Sequence, residues 1–234
     1  MTFTLATDGD AYEQKYYLAF IKNEFPCYDA FWVKHVVPLT NRPTDIHFKT
    51  DVQLRAVGKT EHDLCIAQLH YTVLRHLTRV FEIRRPGIVS VDDLTDGIVR
   101  LAGAQDVAFE LLERYARPAK YGPWLARRVG RTRGGKEARQ AWQKRNRRPL
   151  QDIRNYRNHL VHGRIGPGVI LNGLWYVPDI GKEAKYYDWR AITDGRNVAA
   201  LVGQDLATPK QILDGAWKKT VNYLESNWKS HLFL

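Results

Sequence analysis

Between Thr60 and Ala116 the sequence holds two helix-length segments and one hard break, Arg85-Pro86-Gly87. In the first segment, EHDLCIAQLHYTVLRHLTRVFEI, apolar residues recur on two faces. Leu64, Ala67, Tyr71 and Leu74 make one; Ile66, Leu69, Val73, Leu77 and Val80 make the other. A helix with two apolar faces must be covered on both, which belongs to the middle of a bundle. Thr60 followed by Asp63 is the expected cap of this helix. Ser90 followed by Asp93 repeats the signal, and the second helix is expected to run to about Ala116, before Arg117-Pro118.

The flanks follow the same logic. GDAYEQKYYLAFIKNEF and CYDAFWVKHVV read as two N-terminal helices, broken at Pro26 and ended near Pro38, with 39–59 as a connection. After Arg117 a helix, loop and helix are expected, Gly134-Gly135 marking the turn. Pro149 is suited to the first position of the next helix and Gly163 to its end. The pattern then changes: GVILNGLWYV sets Asn172-Gly173 between two short apolar runs, a hairpin signal. Thr208-Pro209-Lys210-Gln211 opens a last helix with the stripe Leu213, Trp217, Thr220, Leu224 and Trp228. The expectation is a mainly α fold, a helical bundle with a small β-hairpin insertion before the C-terminal helix. It is read as one domain: N-terminal helices over 1–59, a bundle core over 60–164, hairpin and loops over 165–207, and the last helix over 208–234.

At 234 residues, with 44% hydrophobic and 12% aromatic content, the chain can bury a substantial core. No run approaches the roughly eighteen apolar residues of a membrane span. The N-terminus lacks the charged start and apolar run of a signal peptide. Cys27 and Cys65 stand apart, so reduced thiols in a cytoplasm are expected. Net charge is +11, and it is localised: from Arg117 to Arg164 fifteen Lys or Arg face two acids, Glu137 and Asp152. A basic block beside a near-neutral body points to a polyanion surface. A solvated basic face, or an arm for anionic lipid, would use the same composition.

Two tempting motifs fail on inspection. GRTRGGK, Gly130 to Lys136, has the spacing of a phosphate-binding loop, but Glu137 stands where a Ser or Thr should hold magnesium, and no buried strand precedes it. His159 and His162 are three apart, yet no third and fourth metal ligands are near them in sequence. His35, His47 and His231 have no distinguishing context. No metal and no cofactor are expected.

The stretch LQDIRNYRNHLVHGR, Leu150 to Arg164, is different. At about 100° per residue, Leu150, Ile153, Leu160 and Val161 fall on one arc with Arg157 in its middle. A buried, unpaired arginine costs several kcal/mol. One resolution is an ion pair with Asp63, Glu82 or Glu110; the other is an arc facing a second subunit, or a cleft that receives phosphate. Arg157 and His162 are about 140° apart on an ideal helix. They converge if the helix ends at His162-Gly163, or if the partner residue comes from another chain. Asn158, four residues before His162, is placed to hydrogen-bond its ring and fix the tautomer.

Arg157-Asn158-His159-Leu160-Val161-His162 reads R-N-x-x-x-H, and this resembles the signature of HEPN-domain ribonucleases: Arg, four to six residues, then His, late in an all-helical bundle. Arg55 to His62 also fits the loose pattern but straddles Gly58 and the Thr60 cap. The resemblance covers Thr60 to Gly163 in outline and six residues closely. It implies a homodimer with facing motifs, metal-independent RNA cleavage, and a setting in bacterial defence or a toxin–antitoxin system, with an antitoxin or defence-system partner. Some toxin members carry a tyrosine two residues after the histidine; Arg164 stands there.

The chemistry also fits independently. RNA carries its own nucleophile, the 2′-hydroxyl, and needs a base, an acid and positive charge on the phosphorane. Histidine serves both proton roles near neutrality, and arginine grips two oxygens. The expected roles are Arg157 on the transition state, His162 moving protons and Asn158 orienting it. His159, opposite the apolar arc, is a secondary candidate facing solvent or RNA. RNA-tracking cations are Arg127, Arg128, Arg131, Arg133, Lys136, Arg139, Lys144, Arg145, Arg147, Arg148, Arg154 and Arg164. Tyr121, Trp124 and Trp142 are available to stack on bases or to pack. The rival readings are a non-catalytic HEPN-like module binding RNA or a nucleotide or neutralising a partner, and a structural subunit in which Arg157 completes an ion pair.

Overall fold

A computed structural model describes residues 23–26, 61–115, 137, 140–141, 144–163, 165, 168–182 and 198–232. These are mostly helical, with one small antiparallel sheet. The elements are α1 (Glu61–Arg84), α2 (Val91–Tyr115), a 3-10 turn (Arg148–Leu150), α3 (Gln151–Val161), β1 (Val169–Leu171), β2 (Leu174–Pro178), α4 (Val198–Leu201), β3 (Leu206–Ala207) and α5 (Pro209–Leu232). Among the described residues, no helix is long and apolar enough to cross a membrane.

Helix boundaries follow local chemistry. α1 ends before Arg85-Pro86, because proline lacks an N–H and restricts the residue preceding it. Ser90 Oγ accepts from the Asp93 N–H at 3.0 Å, while Asp93 Oδ2 accepts from the Ser90 N–H at 3.1 Å and its hydroxyl at 2.8 Å. These reciprocal bonds start α2 and hold the Asp93 carboxyl below the usual carboxylate range. At α5, Gln211 Oε1 accepts from the Thr208 N–H and hydroxyl, each at 3.0 Å, and Pro209 takes the first helical position.

The chain divides into two compact units, each built from separated stretches. The first takes Met1–Thr78, Ala104–Asn146 and Val221–Leu234. Among its described residues, Val73, Leu74 and Leu77 of α1, Ala108, Phe109 and Leu111 of α2, and Val221 and Leu224 of α5 are buried. Leu74 comes from one expected face of α1 and Val73 and Leu77 from the other, so both faces are covered. Phe109 meets Tyr223 edge to face at 5.9 Å, a favoured aromatic geometry. The Tyr223 hydroxyl donates to the Asn146 carbonyl, and burial pushes its pKa up to about 12.

The second unit takes Arg79–Gly103 and Arg147–Thr220. Its core joins Val80 and Ile83 of α1, Leu94, Ile98 and Leu101 of α2, Leu150, Ile153 and Tyr156, and Ile212, Leu213, Ala216 and Trp217 of α5. α2 and α5 approach so closely at Gly97 that a Cβ there would lie 2.6 Å from Leu213 Cδ1. Arg84 joins α1 to α5: its Nε donates to Asp214 Oδ1 at 2.7 Å, and its guanidinium lies 4.6 Å over the Trp217 ring. Lys210 Nζ donates to the Arg84 carbonyl at 2.8 Å, supplying positive charge at the α1 C-terminus.

The hairpin forms where expected. β1 and β2 pair antiparallel with Leu171 opposite Leu174, and Asn172 (φ 53°) and Gly173 (φ 75°) make the turn. Two positive φ values are the type I′ requirement that Asn-Gly meets. A third strand, β3, is an addition to the expected hairpin: it pairs with β2, Val177 opposite Ala207. One face of the sheet buries Val169 and Leu206 against Val198 of α4. On the other, Ile170 stands opposite Trp175, and they remain 67% and 44% exposed.

Candidate functional site

α3 is set by its two ends. Pro149 sits in the 3-10 turn that leads into the helix rather than in its first turn. Asp152, in the first turn, receives a hydrogen bond from Lys219 Nζ. At the other end the His162 N–H donates to the Asn158 carbonyl and the Gly163 N–H to the Leu160 carbonyl, each at 3.1 Å. Gly163 has φ 62°, the left-handed geometry that lets a chain leave a helix, so the expected glycine stop holds.

The buried face of α3 differs from the expected arc. Leu150, Ile153 and Tyr156 are each 0% exposed, Leu160 is half-buried, and Val161 and Arg157 are exposed. Tyr156 is the missing member. Its hydroxyl donates to the Pro178 carbonyl at 2.7 Å, so the ring enters the core with its polar atom satisfied. Counting the tyrosine turns the buried stripe and leaves Arg157 roughly 45° from its centre, on its exposed flank. Arg157 is therefore not at the middle of a buried arc, and the cost of burying it does not arise.

Arg157, Asn158 and His159 also have surroundings other than those expected. Among the described residues Arg157 makes no ion pair; its Nη1 donates to Asn158 Oδ1 at 3.0 Å. Neither Glu82 nor Glu110 is its partner, and the Asp63 side chain lies outside the described set. Asn158 thus gives its side-chain oxygen to Arg157, and the 158–162 hydrogen bond shown is the main-chain one. His159, expected to face solvent, is half-buried, while Asn158 and His162 are exposed.

Of the cationic candidates, Lys144, Arg145 and Arg148 are exposed and Arg147 and Arg154 half-buried. Arg127, Arg128, Arg131, Arg133, Lys136, Arg139 and Arg164 lie outside the described residues, as do Tyr121, Trp124, Trp142 and Arg55. Among the described residues, no group of three or more His, Cys, Asp or Glu side chains is arranged to hold a metal ion.

Beside the end of α3 lies a cleft of about 1110 Å³ within the second unit. Ile88, Leu160, Ile165, Leu174, Trp175 and Pro209 are among the residues that line it. Leu160 and Ile165 bracket the His162-Gly163 turn, so the motif borders the cleft. Gly168 lets the hairpin close: a Cβ there would lie 2.8 Å from the Tyr176 carbonyl oxygen and 3.2 Å from Trp175 Nε1. Sequence reasoning did not anticipate this cleft. The available signal was strand alternation, which puts Ile170 and Trp175 on the hairpin face opposite Val169 and Tyr176.

No family model, curated protein or solved structure matches the chain. The functional reading therefore rests on the residues and their geometry.

Proposed function

We propose that this chain is a HEPN-like endoribonuclease, cutting RNA by 2′-hydroxyl attack without a metal and leaving 2′,3′-cyclic phosphate and 5′-hydroxyl ends. The observation that supports it most is the joint exposure of Arg157, Asn158 and His162 over the last turns of α3. A guanidinium with no carboxylate partner among the described residues is available to two phosphoryl oxygens. A histidine at a helix end, with only a glycine after it, has room to approach the 2′-hydroxyl or the departing 5′-oxygen. One chain offers one such histidine, and the reaction needs a base and an acid. A homodimer with facing motifs supplies both, and Val161, left 49% exposed beside Arg157, is an apolar surface suited to a second copy. Bacterial defence or a toxin–antitoxin pair is the setting that goes with this reading.

Arg157→Ala and His162→Ala should each abolish cutting of RNA in EDTA, while Arg55→Ala should not. Deoxy or 2′-O-methyl substitution at the cut site should block the reaction. Full activity in the two motif variants would end the proposal. A second reading, a non-catalytic module that holds RNA, a nucleotide or a partner protein, is favoured by the Arg157–Asn158 hydrogen bond, which leaves His162 without its expected orienting side chain. It requires salt-sensitive RNA binding with intact substrate recovered, unchanged by Arg157→Ala.

A further inference from the structure

We infer that the cleft beside α3 is a nucleobase subsite in which Trp175 stacks on a base of single-stranded RNA. The inference rests on the reading of α3 as an RNA-facing helix and names what the neighbouring surface holds. A single strand asks for two different surfaces: cations for the phosphates and a largely apolar wall with an exposed aromatic ring for the bases. Both occur here, side by side. Arg157 is exposed, and Leu160, three residues on and so its neighbour on the helix surface, lines the cleft. Trp175 and Ile88 also line it, and they are 44% and 84% exposed.

Two helix starts, at Ser90 and Thr208, also line the cleft, which raises the alternative of a phosphate inside it. The capping boxes argue against that. Ser90 Oγ already accepts from Asp93 N–H and Thr208 Oγ1 from Gln211 N–H, so one donor of each first turn is already engaged. Lys210 is spent on Asp214 at 3.4 Å and on the Arg84 carbonyl. Asp92 lines the cleft with no partner for its carboxylate among the described residues, and it would repel a phosphate. A carboxylate accepts instead from an exocyclic amine, so the subsite prefers guanine, adenine or cytosine over uracil.

The test uses the full chain and fluorescein-labelled 2′-O-methyl homo-oligomers of adenine, cytosine and uracil, which cannot be cut by 2′-hydroxyl attack. Anisotropy at one fixed salt concentration reads affinity, and melting curves establish folding of each variant. Trp175→Ala should weaken adenine and cytosine oligomers by about five- to a hundredfold, and Trp175→Phe should restore most of it. Ile88→Glu, a loop change that cannot disturb a core, should weaken binding several-fold. Asp92→Asn should narrow the difference between cytosine and uracil. Unchanged affinity in both Trp175→Ala and Ile88→Glu overturns the subsite. So does a dimer that these variants convert to monomer with RNA affinity intact, because a second copy would then be the occupant. Cleavage is scored separately on ordinary RNA. Cutting that ignores Trp175→Ala sinks the subsite and leaves the nuclease reading. Trp175-dependent binding without cutting sinks the nuclease reading and leaves the subsite.

Discussion

Tyr156→Phe tests the account of α3 most sharply, because it removes one atom. The ring stays, so its packing against Leu150 and Ile153 should be kept. What goes is a 2.7 Å hydrogen bond from a side chain with 0% exposure to the buried Pro178 carbonyl. A neutral hydrogen bond contributes about 0.5–1.5 kcal/mol net, and a buried acceptor left without it costs about 1–3 kcal/mol. The expected loss is therefore about 1–3 kcal/mol. At about 2–4 °C per kcal/mol for a chain of this size, the Tm should fall by roughly 2–12 °C. Urea unfolding followed by tryptophan fluorescence should show a lower midpoint with an unchanged m value. Tyr176→Phe is the control: Tyr176 is half-buried and its hydroxyl has no hydrogen bond among the described residues, so it should change stability by less than about 0.5 kcal/mol. If Tyr156→Phe matches wild type, or the control costs as much, the rotation of α3 about its tyrosine has been misassigned.

Arg157→Ala and His162→Ala, both exposed, should leave unfolding midpoints within about 0.5 kcal/mol of wild type, so any loss of cleavage is not a folding effect. Asp93 has a folded pKa lowered by the bonds from Ser90, so its contribution is complete above the ordinary carboxylate value and is lost as pH falls through the folded one. Asp93→Asn should therefore reduce the acid sensitivity of stability between about pH 2 and 5, read from urea midpoints. Gly97→Ala should change stability by about 0–2 kcal/mol in the destabilising direction, because crowding of the buried Leu213 Cδ1 at 2.6 Å is partly offset by about 1 kcal/mol of helix propensity. Combining it with Leu213→Val should give a coupling of at least about 0.5 kcal/mol in denaturant titrations.

What was legible in the sequence was mostly what local bonds decide. Ser90 with Asp93, and Thr208 with Gln211, cap helices through partners three residues away, and Asn172-Gly173 makes a turn out of its own backbone preferences. The Gly163 stop belongs to the same class. β3 was not legible: two residues carry no periodicity, and Leu206–Ala207 are a strand only because Val177 and Pro178 are beside them. The phase of α3 failed for a related reason. Tyr156 looks amphipathic in a sequence, and a partner as distant as the Pro178 carbonyl, 22 residues on, helps make it a core residue. The candidate motif was found by pattern, whereas the cleft beside it depends on contacts among four separated segments.

The contacts of Arg84 with Asp214 and of Lys210 with the Arg84 carbonyl span 130 and 126 positions of the chain. Closing so long a loop is slow, and its reward comes only when both ends exist. A ribosome that has finished α2 has made the α1 and α2 parts of the second unit and neither α3 nor α5. Leu94, Ile98 and Leu101 must then wait in water, or under a chaperone, for α5 to emerge. Expression at low temperature or with added chaperones should therefore raise the soluble yield of this protein.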